Sequence, residues 1–428
     1  MEDVKIIKLN GGGTLIYENS KRNKATSVLV GFSAGTGSDT QNGIAHFSEH
    51  MLFKGTNKRS KEQLEKDLRE YCGNNFNAFT GQDFTVFAFN RVNTLLDNAF
   101  ELASDLLLNS NVTKKNVDNE RGVILEEYNS YVDVNKYSIE DEHTNKIFER
   151  KVGAKKSIGD KDDLEKITPK CIIEFRKKFY TKENFVISVV GSESLSKIKK
   201  LIKKHFLSKF EVANSEVKAN HNFAMLNETA YSIEKKETDN VLVNISLKCV
   251  GYNDEIRSPA LNIIKSYLTG GVDGVLFKAV RDKGLAYSIT TSVDKRLESG
   301  VFNIEFESSK DNVNKVIDEI GKVVNEIRKT GISNAEIDKT KMNFEYSINE
   351  TDKPNLSQAL VNLDKFISHK PFITAEYVNK FMQTKKEVVD EYFADLFDVN
   401  NPIFVTIGGK VKQNDVYKLD EIKSKLLK

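Results

Sequence analysis

The stretch SVLVGFS at residues 27–33 is a strand-like run, and NVLVNIS at residues 240–246 has the same shape. Short runs rich in Val, Ile and Phe, bounded by polar or small residues, are typical of β-strands. A second pair follows, because ENFVISVVGS at 183–192 resembles NNPIFVTIGG at 400–409. The first pair lies 213 residues apart (27 to 240) and the second 217 (183 to 400). This spacing indicates a tandem repeat of one unit that mixes strands and helices.

Strands and helices cluster within each half, which predicts the α+β class. We expect two tandem homologous domains, each a mainly antiparallel sheet with helices packed on one face. The mostly polar stretch 209–223 lacks clean periodicity and predicts a linker between an N-terminal domain at 1–208 and a C-terminal domain at 224–428. Three glycines at 11–13 precede the strand-like TLIYE. They therefore predict a hairpin turn and not a phosphate-binding loop, which needs a helix after it.

Composition excludes several partners. The chain has 428 residues, and 64 basic against 62 acidic side chains give a net charge of +2. No long run of one sign dominates, so a nucleic-acid surface is not expected. The N-terminus does not read as a signal peptide, and no window offers about eighteen consecutive apolar residues. Cys72, Cys171 and Cys249 are odd in number and widely spaced, which favours a reducing compartment. We expect a cytoplasmic protein with no membrane partner.

The segment GIAHFSEHMLFKGT at residues 43–56 places two of six histidines four positions apart. On a helix His46, Glu49 and His50 share one face, because residues three and four apart are neighbours. Neutral imidazole is a common zinc ligand, and the order H-x-x-E-H is the inverted form of the zincin motif. The alternative is a helix whose two histidines and glutamate only hydrogen-bond to one another. As a metal site, the motif predicts two ligands and Glu49 as the general base.

A third ligand is predicted from VDNERGVILEEYNSYVD at residues 117–133. Read as a helix, one face carries Glu120 and Glu127 with apolar or aromatic neighbours, namely Val123, Ile124, Tyr128 and Tyr131. An ionised carboxylate on an apolar face is costly unless it is paired or bound to metal. Glu127 is therefore a better ligand candidate than the adjacent Glu126. A glutamate that merely borders the core is an equally simple reading of this segment.

These two segments together resemble the pitrilysin family of inverted zincins, which includes insulin-degrading enzyme and mitochondrial processing peptidase. The resemblance rests on the HFSEH core, the MLFKGT that follows it, and the downstream Glu120-Arg121-x-x-Ile124-x-x-Glu127. It implies His46, His50 and Glu127 as zinc ligands and Glu49 as the base that acts on water. It also implies Glu120 as a carboxylate behind the ligands. The length and the repeat are similar to those of the processing-peptidase branch.

Two further segments resemble substrate-binding parts of this family. NAFTGQDFTVFAF at residues 77–89 is similar to an edge strand whose backbone pairs with an extended peptide, which implies Asn77, Ala78 and Phe79 as binding residues. An ordinary hairpin is the alternative. GGVDGVLFKAVRDKGLAYSI at 270–289 is similar to a region that carries an arginine and a tyrosine near the scissile bond, which implies Arg281 and Tyr287. A solvated helix residue is the alternative for Arg281. The second half has no H-x-x-E-H, so we expect one metal per chain.

The expected function is that of a zinc-dependent endopeptidase, with Zn²⁺ as cofactor, that cleaves extended or unfolded peptides. The metal ligands lie in the first repeat and the Arg–Tyr pair in the second, so a complete site needs halves that face each other. The resemblance implies a dimer that encloses a chamber, either a homodimer or a heterodimer with a related subunit. The alternative from another class is a non-catalytic subunit that binds peptide or serves as a scaffold.

Overall fold

The computed structural model describes residues 4–10, 12–20, 24–148, 158–210, 228–349 and 354–428. These residues form two β-sheets, one in each half of the chain. The first sheet contains β1 (Val4–Lys8), β2 (Thr14–Asn19), β3 (Ala25–Phe32), β4 (Asn77–Thr80), β5 (Thr85–Val92) and β6 (Phe185–Gly191). The second sheet contains β7 (Ala230–Lys235), β8 (Asn240–Val250), β9 (Ser288–Lys295), β10 (Ser299–Ser309) and β11 (Ile403–Gly409).

The two sheets have the same strand order. The first runs β1-β2-β6-β3-β5-β4 and the second β7-β11-β8-β10-β9, so every strand after β1 has a counterpart. Each sheet has one parallel pair at the same place, β2 with β6 and β7 with β11. The other neighbouring strands are antiparallel. The predicted repeat and the predicted α+β class are confirmed.

The glycines between β1 and β2 form the predicted hairpin turn. Gly12 and Gly13 have φ angles of 113° and 81°, which residues with a Cβ atom rarely adopt. The amide of Leu9 donates to the carbonyl of Gly13 at 3.1 Å, and the amide of Gly12 donates to the carbonyl of Leu9 at 3.0 Å. The first of the three glycines lies outside the described residues. The turn lets β1 and β2 pair as antiparallel neighbours.

Sixteen α-helices are assigned within the described ranges. In the first half they are α1 (Ile44–His50), α2 (Lys61–Asp67), α3 (Leu96–Asn109), α4 (Lys114–Asp133), α5 (Asn135–Ile147), α6 (Lys161–Leu164), α7 (Pro169–Phe179) and α8 (Leu195–Ile202). In the second half they are α9 (Arg257–Thr269), α10 (Val275–Arg281), α11 (Val313–Thr330), α12 (Asn334–Asn349), α13 (Asn355–Ile367), α14 (Ala375–Met382), α15 (Lys386–Leu396) and α16 (Leu419–Leu426).

Each sheet is covered on one face by helices of its own half and on the other by a helix of the opposite half. In β3, Val28 and Val30 pack with Phe100 of α3, whereas Leu29 points to the other face. There it meets Ala359 and Leu363 of α13, a helix that follows the second sheet's strands β7 to β10 in sequence. Central strands that are apolar on both faces need cover on both. The own-half helical layer was predicted, and the exchanged helix was not.

Polar contacts fix α13 on the first sheet. Nδ2 of Asn362 donates to Oε2 of Glu18 at 2.8 Å, and both side chains are buried. The hydroxyl of Ser188 donates to the carbonyl of Ala359 at 2.8 Å. Because a buried polar group left without a partner costs about 1–3 kcal/mol, these bonds favour one seating of the helix over others.

The helix α5 of the first half lies on the second sheet in the reciprocal way. Its His143 is buried, with Nδ1 at 3.0 Å from Oγ1 of Thr406 and Nε2 at 2.6 Å from Oγ of Ser246. Burial lowers the pKa of His143 to about 4, so the ring is neutral near pH 7. Ile147 of the same helix packs with Phe404. Each half of the chain therefore contributes one helix to the other.

The segment that would join the predicted domains is largely outside the described residues, since 211–227 is not described. The boundaries 1–208, 209–223 and 224–428 stay predictions. The three cysteines are free thiols, of which Cys72 and Cys249 are buried and Cys171 is half-buried. Within the described ranges, none of the helices has the length and apolar character needed to cross a bilayer.

Candidate active site

The helix α1 carries the H-x-x-E-H motif, as predicted. The carboxylate of Asp39 accepts hydrogen bonds from the amides of Gly43 at 2.7 Å and Ala45 at 3.0 Å, which satisfies donors at the start of the helix. Gly43 has a φ of 85°, so the entry to the helix favours glycine. Phe47 is fully buried, whereas His46 and His50 are only partly buried. One face of α1 therefore packs in the core, and the other face carries the histidines and the glutamate of the motif.

The ligand atoms of His46, His50 and Glu127 lie within 4.8 Å of one another, and they form the one such group found in the described part of the chain. Nε2 of His46 is 3.2 Å from Nε2 of His50 and 3.8 Å from Oε1 of Glu127. Nε2 of His50 is 3.4 Å from Oε2 of Glu127. Ligand atoms of a tetrahedral zinc ion are about 3.3 Å apart when bond lengths are about 2.0 Å. This donor set fits zinc with a fourth position open.

Protonation favours metal binding at His46. Burial, with a smaller contribution from the neighbouring His50, lowers the pKa of His46 to about 3. The imidazole is therefore neutral near pH 7 and keeps a lone pair for a metal. Its Nδ1 is buried and has no hydrogen-bond partner among the described residues. Within the described ranges, no carboxylate or carbonyl therefore fixes this ring through Nδ1.

His50, in contrast, is oriented by a carboxylate behind it. Nδ1 lies 2.9 Å from Oε1 of Glu120, so this nitrogen donates and Nε2 faces the other ligand atoms with its lone pair. Lys54 forms an ion pair with the other oxygen of Glu120. Burial alone would raise the pKa of Glu120, but the hydrogen bonds from His50 and Lys54 outweigh it and hold the pKa below its ordinary value. Glu120 is therefore ionised and orients the ring of His50, and it is not a member of the ligand group.

The helix α4 presents Glu127 to the histidines, while Glu126 is exposed and not part of the ligand group. The helix face that carries Glu120 and Glu127 is buried only in part. Val123 is 53% exposed and the side chain of Glu127 is 49% exposed. The reason is that the buried contacts of α4 are made around Glu120 and Ile124, whereas its later turns border an open pocket.

Glu49 lies beside the ligands with its carboxylate held by one residue. Oγ1 of Thr80 donates to Oε2 of Glu49 at 2.6 Å, the short length of a charge-assisted bond. Burial raises the pKa of Glu49, and the nearby Glu127 adds to this effect. The hydrogen bond from Thr80 and the proximity of His50 act in the opposite direction without cancelling it. A raised pKa suits a group that must accept and return a proton near neutral pH.

A pocket of about 550 Å³ opens beside the metal ligands. The strand β4 borders it and is the last strand of its sheet, paired with β5 and with no other strand of the described chain. Of the predicted binding residues, Ala78 and Phe79 line the pocket and Asn77 is exposed outside it. The residues around the pocket are His46, Glu49, His50, Ala78, Phe79, Thr80, Glu127, Ser130, Tyr131, Tyr137 and Ile158.

Five lining residues were not predicted as site residues, namely Thr80, Ser130, Tyr131, Tyr137 and Ile158. Thr80 follows directly on the predicted Asn-Ala-Phe. Tyr131 stands one helical turn after Glu127, a spacing that could have identified it. Tyr137 comes from α5 and stacks on Tyr131 with ring centroids 5.1 Å apart. Its approach depends on the sharp bend between α4 and α5, which no sequence pattern indicated.

Arg281 and Tyr287 lie together in the second half. The guanidinium carbon of Arg281 is 5.4 Å from the centre of the Tyr287 ring, and Nη1 donates to the Tyr287 carbonyl. Tyr287 is largely exposed to solvent, with 74% of its surface accessible. Neither residue is among those that line the metal pocket. The structure thus brings the two to each other but not to the metal ligands of the same chain.

Two histidines of one helix that face a glutamate of a second helix, within a duplicated α+β chain, are the arrangement of the inverted zincin metallopeptidases. The family model described as insulinase, peptidase family M16, matches residues 14–159, and the model described as the peptidase M16 inactive domain matches residues 166–344. The chain belongs to peptidase family M16, as the sequence predicted.

Known relatives agree with this assignment. An uncharacterized zinc protease of Bacillus subtilis is 25% identical over 404 residues, which cover 93% of each chain. The probable mitochondrial-processing peptidase subunit beta of Schizosaccharomyces pombe is 31% identical over 200 residues, 46% of this chain and 44% of that one. A protease from Helicobacter pylori of known crystal structure superposes with a TM-score of 0.84 at 20% identity, covering 96% of this chain and 100% of that chain. The name of the first indicates a zinc protease, and the name of the second indicates a peptidase.

Proposed function

We propose that the chain is a zinc-dependent endopeptidase that cleaves extended or unfolded peptides. The observation that carries this proposal is the convergence of His46, His50 and Glu127 at distances that suit one zinc ion, with Glu49 beside them and not among them. Two imidazoles, one carboxylate and a separate carboxylate base are the parts of a hydrolytic zinc site.

The residues take distinct roles in this proposal. His46, His50 and Glu127 hold the ion, which when bound supplies a Lewis acid that acidifies water and polarises a carbonyl. Glu49 accepts a proton from the attacking water and later delivers it to the leaving amine. Glu120 keeps the ring of His50 in the tautomer that presents Nε2.

Substrate binding is assigned to the strand β4. An extended peptide that adds to a sheet edge gains main-chain hydrogen bonds with little regard to its sequence. The free edge of β4 lies along the pocket that contains Glu49, so a peptide paired there runs past the base. Ala78 and Phe79 are the contacts that line this path, and Asn77 stands at its outer end. Folded proteins cannot offer such an extended segment.

We assign the remaining groups to a second copy of the chain. Arg281 and Tyr287 lie away from the metal pocket of their own chain, and a cation with a phenol can stabilise the oxyanion that forms on the carbonyl. A homodimer in which the first half of one subunit faces the second half of the other would complete two sites and enclose a chamber. A heterodimer with a related subunit would complete one. The three free thiols support the predicted cytoplasmic location.

Cleavage by the purified protein tests the enzyme proposal. A small disulfide-bonded protein should be cut rapidly after reduction and alkylation and hardly at all in its native form, since only the unfolded chain can pair with β4. Mass spectrometry of the products measures both rates. The native and the reduced, alkylated substrates have the same amino-acid sequence, so only their folding differs. Removal of zinc with a chelator should abolish cleavage and re-addition should restore it. Equal cleavage of both forms would contradict the enclosed chamber, and no cleavage of either would favour the non-catalytic subunit.

Complementation tests the shared site. Glu49→Gln and Tyr287→Phe chains, each impaired alone, should recover activity when they are refolded together. Random pairing makes about half the dimers mixed, each with one intact site of two, so roughly a quarter of wild-type activity is expected. Differently tagged chains verify mixed dimers, and co-refolding of two differently tagged Glu49→Gln chains is the control. Verified mixing without any gain would mean that each site is built within one chain or with a different partner.

A further inference from the structure

The strand assigned to substrate binding also touches the assigned base. Thr80 is the last residue of β4, and its Oγ1 donates to Oε2 of Glu49. Among the described residues, Thr80 supplies the one side-chain hydrogen bond to the Glu49 carboxylate, and this bond ends on Oε2. Glu49 also lines the pocket beside the metal ligands.

The position of the Thr80 hydroxyl is set by the sheet. The backbone of Thr80 pairs with that of Thr85. The amide of the next residue, Gly81, donates to the carbonyl of Phe84 at 2.8 Å, and the carbonyl of Gly81 accepts from the amide of Thr36 at 3.1 Å. A β-branched side chain has few χ1 rotamers, so a fixed backbone gives a fixed hydroxyl. The donor is therefore rigid, in contrast to the three-torsion side chain that accepts from it.

Without this donor, no other hydrogen bond among the described side chains would hold the Glu49 carboxylate in its position. His50 lies on the next position of α1, and the charge of Glu127 repels the carboxylate. A carboxylate free to rotate this close to two imidazole nitrogens can become a further metal ligand, and a base bound to the metal cannot accept a proton from water. The contact with Thr80 opposes that outcome because it holds Oε2 toward the strand.

We propose that Thr80 is the positioning residue of the base: its hydrogen bond holds Glu49 outside the ligand set and aims Oε1 at the pocket. This inference rests on the proposed peptidase function. It also ties the alignment of the base to the strand on which the peptide would dock. Thr80 contacts no reacting atom itself and acts through Glu49.

Three variants test this role. Thr80→Val keeps the shape and removes the hydroxyl, and it should lower kcat by about ten- to a hundredfold, a part of the roughly 10²- to 10⁴-fold that general base catalysis supplies. KM and zinc content should stay near the wild-type values. Thr80→Ser keeps the hydroxyl and should restore most of kcat. Thr290→Val makes the same change on β9, the corresponding edge strand of the second half, and should leave kcat unchanged.

A double-mutant cycle separates positioning from a general effect on the fold. In a Glu49→Gln background, Thr80→Val should cost no further activity, because the residue through which it acts is already disabled. An equal loss in both backgrounds would overturn the proposal. So would a Thr80→Val enzyme with wild-type kcat, or one whose loss lies in KM alone. Thr80→Ala replaces the valine variant if that protein does not fold.

Crystal structures keep the inference distinct from the peptidase proposal. Zinc-loaded wild type and Thr80→Ser should show Glu49 in one rotamer with Oε1 toward the pocket, and Thr80→Val should show it rotated, disordered or bound to the metal. This result does not depend on any substrate. A wild-type protein that cleaves no peptide would overturn the proposed function, whereas an unmoved Glu49 in Thr80→Val would overturn the role of Thr80.

Discussion

A Glu49→Gln variant is expected to lose about 10²- to 10⁴-fold in kcat while it binds zinc as tightly as the wild type. Glutamine has nearly the shape of glutamate and can still accept the hydrogen bond from Thr80, but its amide does not accept a proton from water. The ligand atoms of His46, His50 and Glu127 are untouched by the change. Steady-state cleavage of an unfolded peptide, with zinc measured in the same preparation, provides both quantities.

Glu126→Gln is the matched control for this experiment, since it makes the same chemical change at an exposed glutamate on α4 and should alter neither quantity. Near-normal turnover by Glu49→Gln would rule out Glu49 as the base. Loss of zinc from Glu49→Gln would instead mean that Glu49 is a ligand and that the roles have been assigned wrongly.

Glu127→Gln should weaken zinc binding by more than the roughly 10- to 100-fold that is typical when a residue behind a ligand is removed. A neutral amide is a poor zinc ligand, and without the Glu127 carboxylate the ion would keep only two imidazoles among the residues proposed to hold it. Competition with a coloured chelator gives the dissociation constants. Glu126→Gln, the neighbouring residue with the same change, should bind zinc like the wild type.

Equal losses in the two variants would show that the charge of α4 matters and not the position of one carboxylate. A larger loss in Glu126→Gln would mean that the helix turns differently in the metal-loaded protein. Glu120→Gln should fall between them, because it orients His50 through Nδ1 without entering the ligand group.

The sequence predicted those parts of the site that follow from helical spacing. His46 and His50 share a helix face by a rule that needs no tertiary information, and α1 confirms the helix. The choice of Glu127 over Glu126 used the same rule, and the structure brings Glu127 to the histidines. The repeat was visible because strands of equal shape recur at nearly equal offsets, and the two sheets share their strand order.

Features that depend on distant parts of the chain were not predicted. The contact of Thr80 with Glu49 joins residues 31 positions apart through the placement of an edge strand beside a helix. The exposure of Val123 depends on how much of α4 is covered by neighbouring helices, and the spacing of apolar residues along α4 does not predict this. The exchanged helices were missed because an apolar face on α13 looks the same whichever sheet it covers. Arg281 and Tyr287 carry no spacing signal toward the metal helix at all.

The exchange of α5 and α13 affects how such a duplicated chain can evolve. Each copy supplies the cover for the apolar face of the other copy's sheet, so deletion of either would expose Leu29 and its neighbours or Phe404 to water. Neither copy is therefore expected to fold stably without the other, even though helix α9 of the second copy has no histidine. Loss of either copy during evolution would therefore destabilise the other, whichever of them carries the metal ligands.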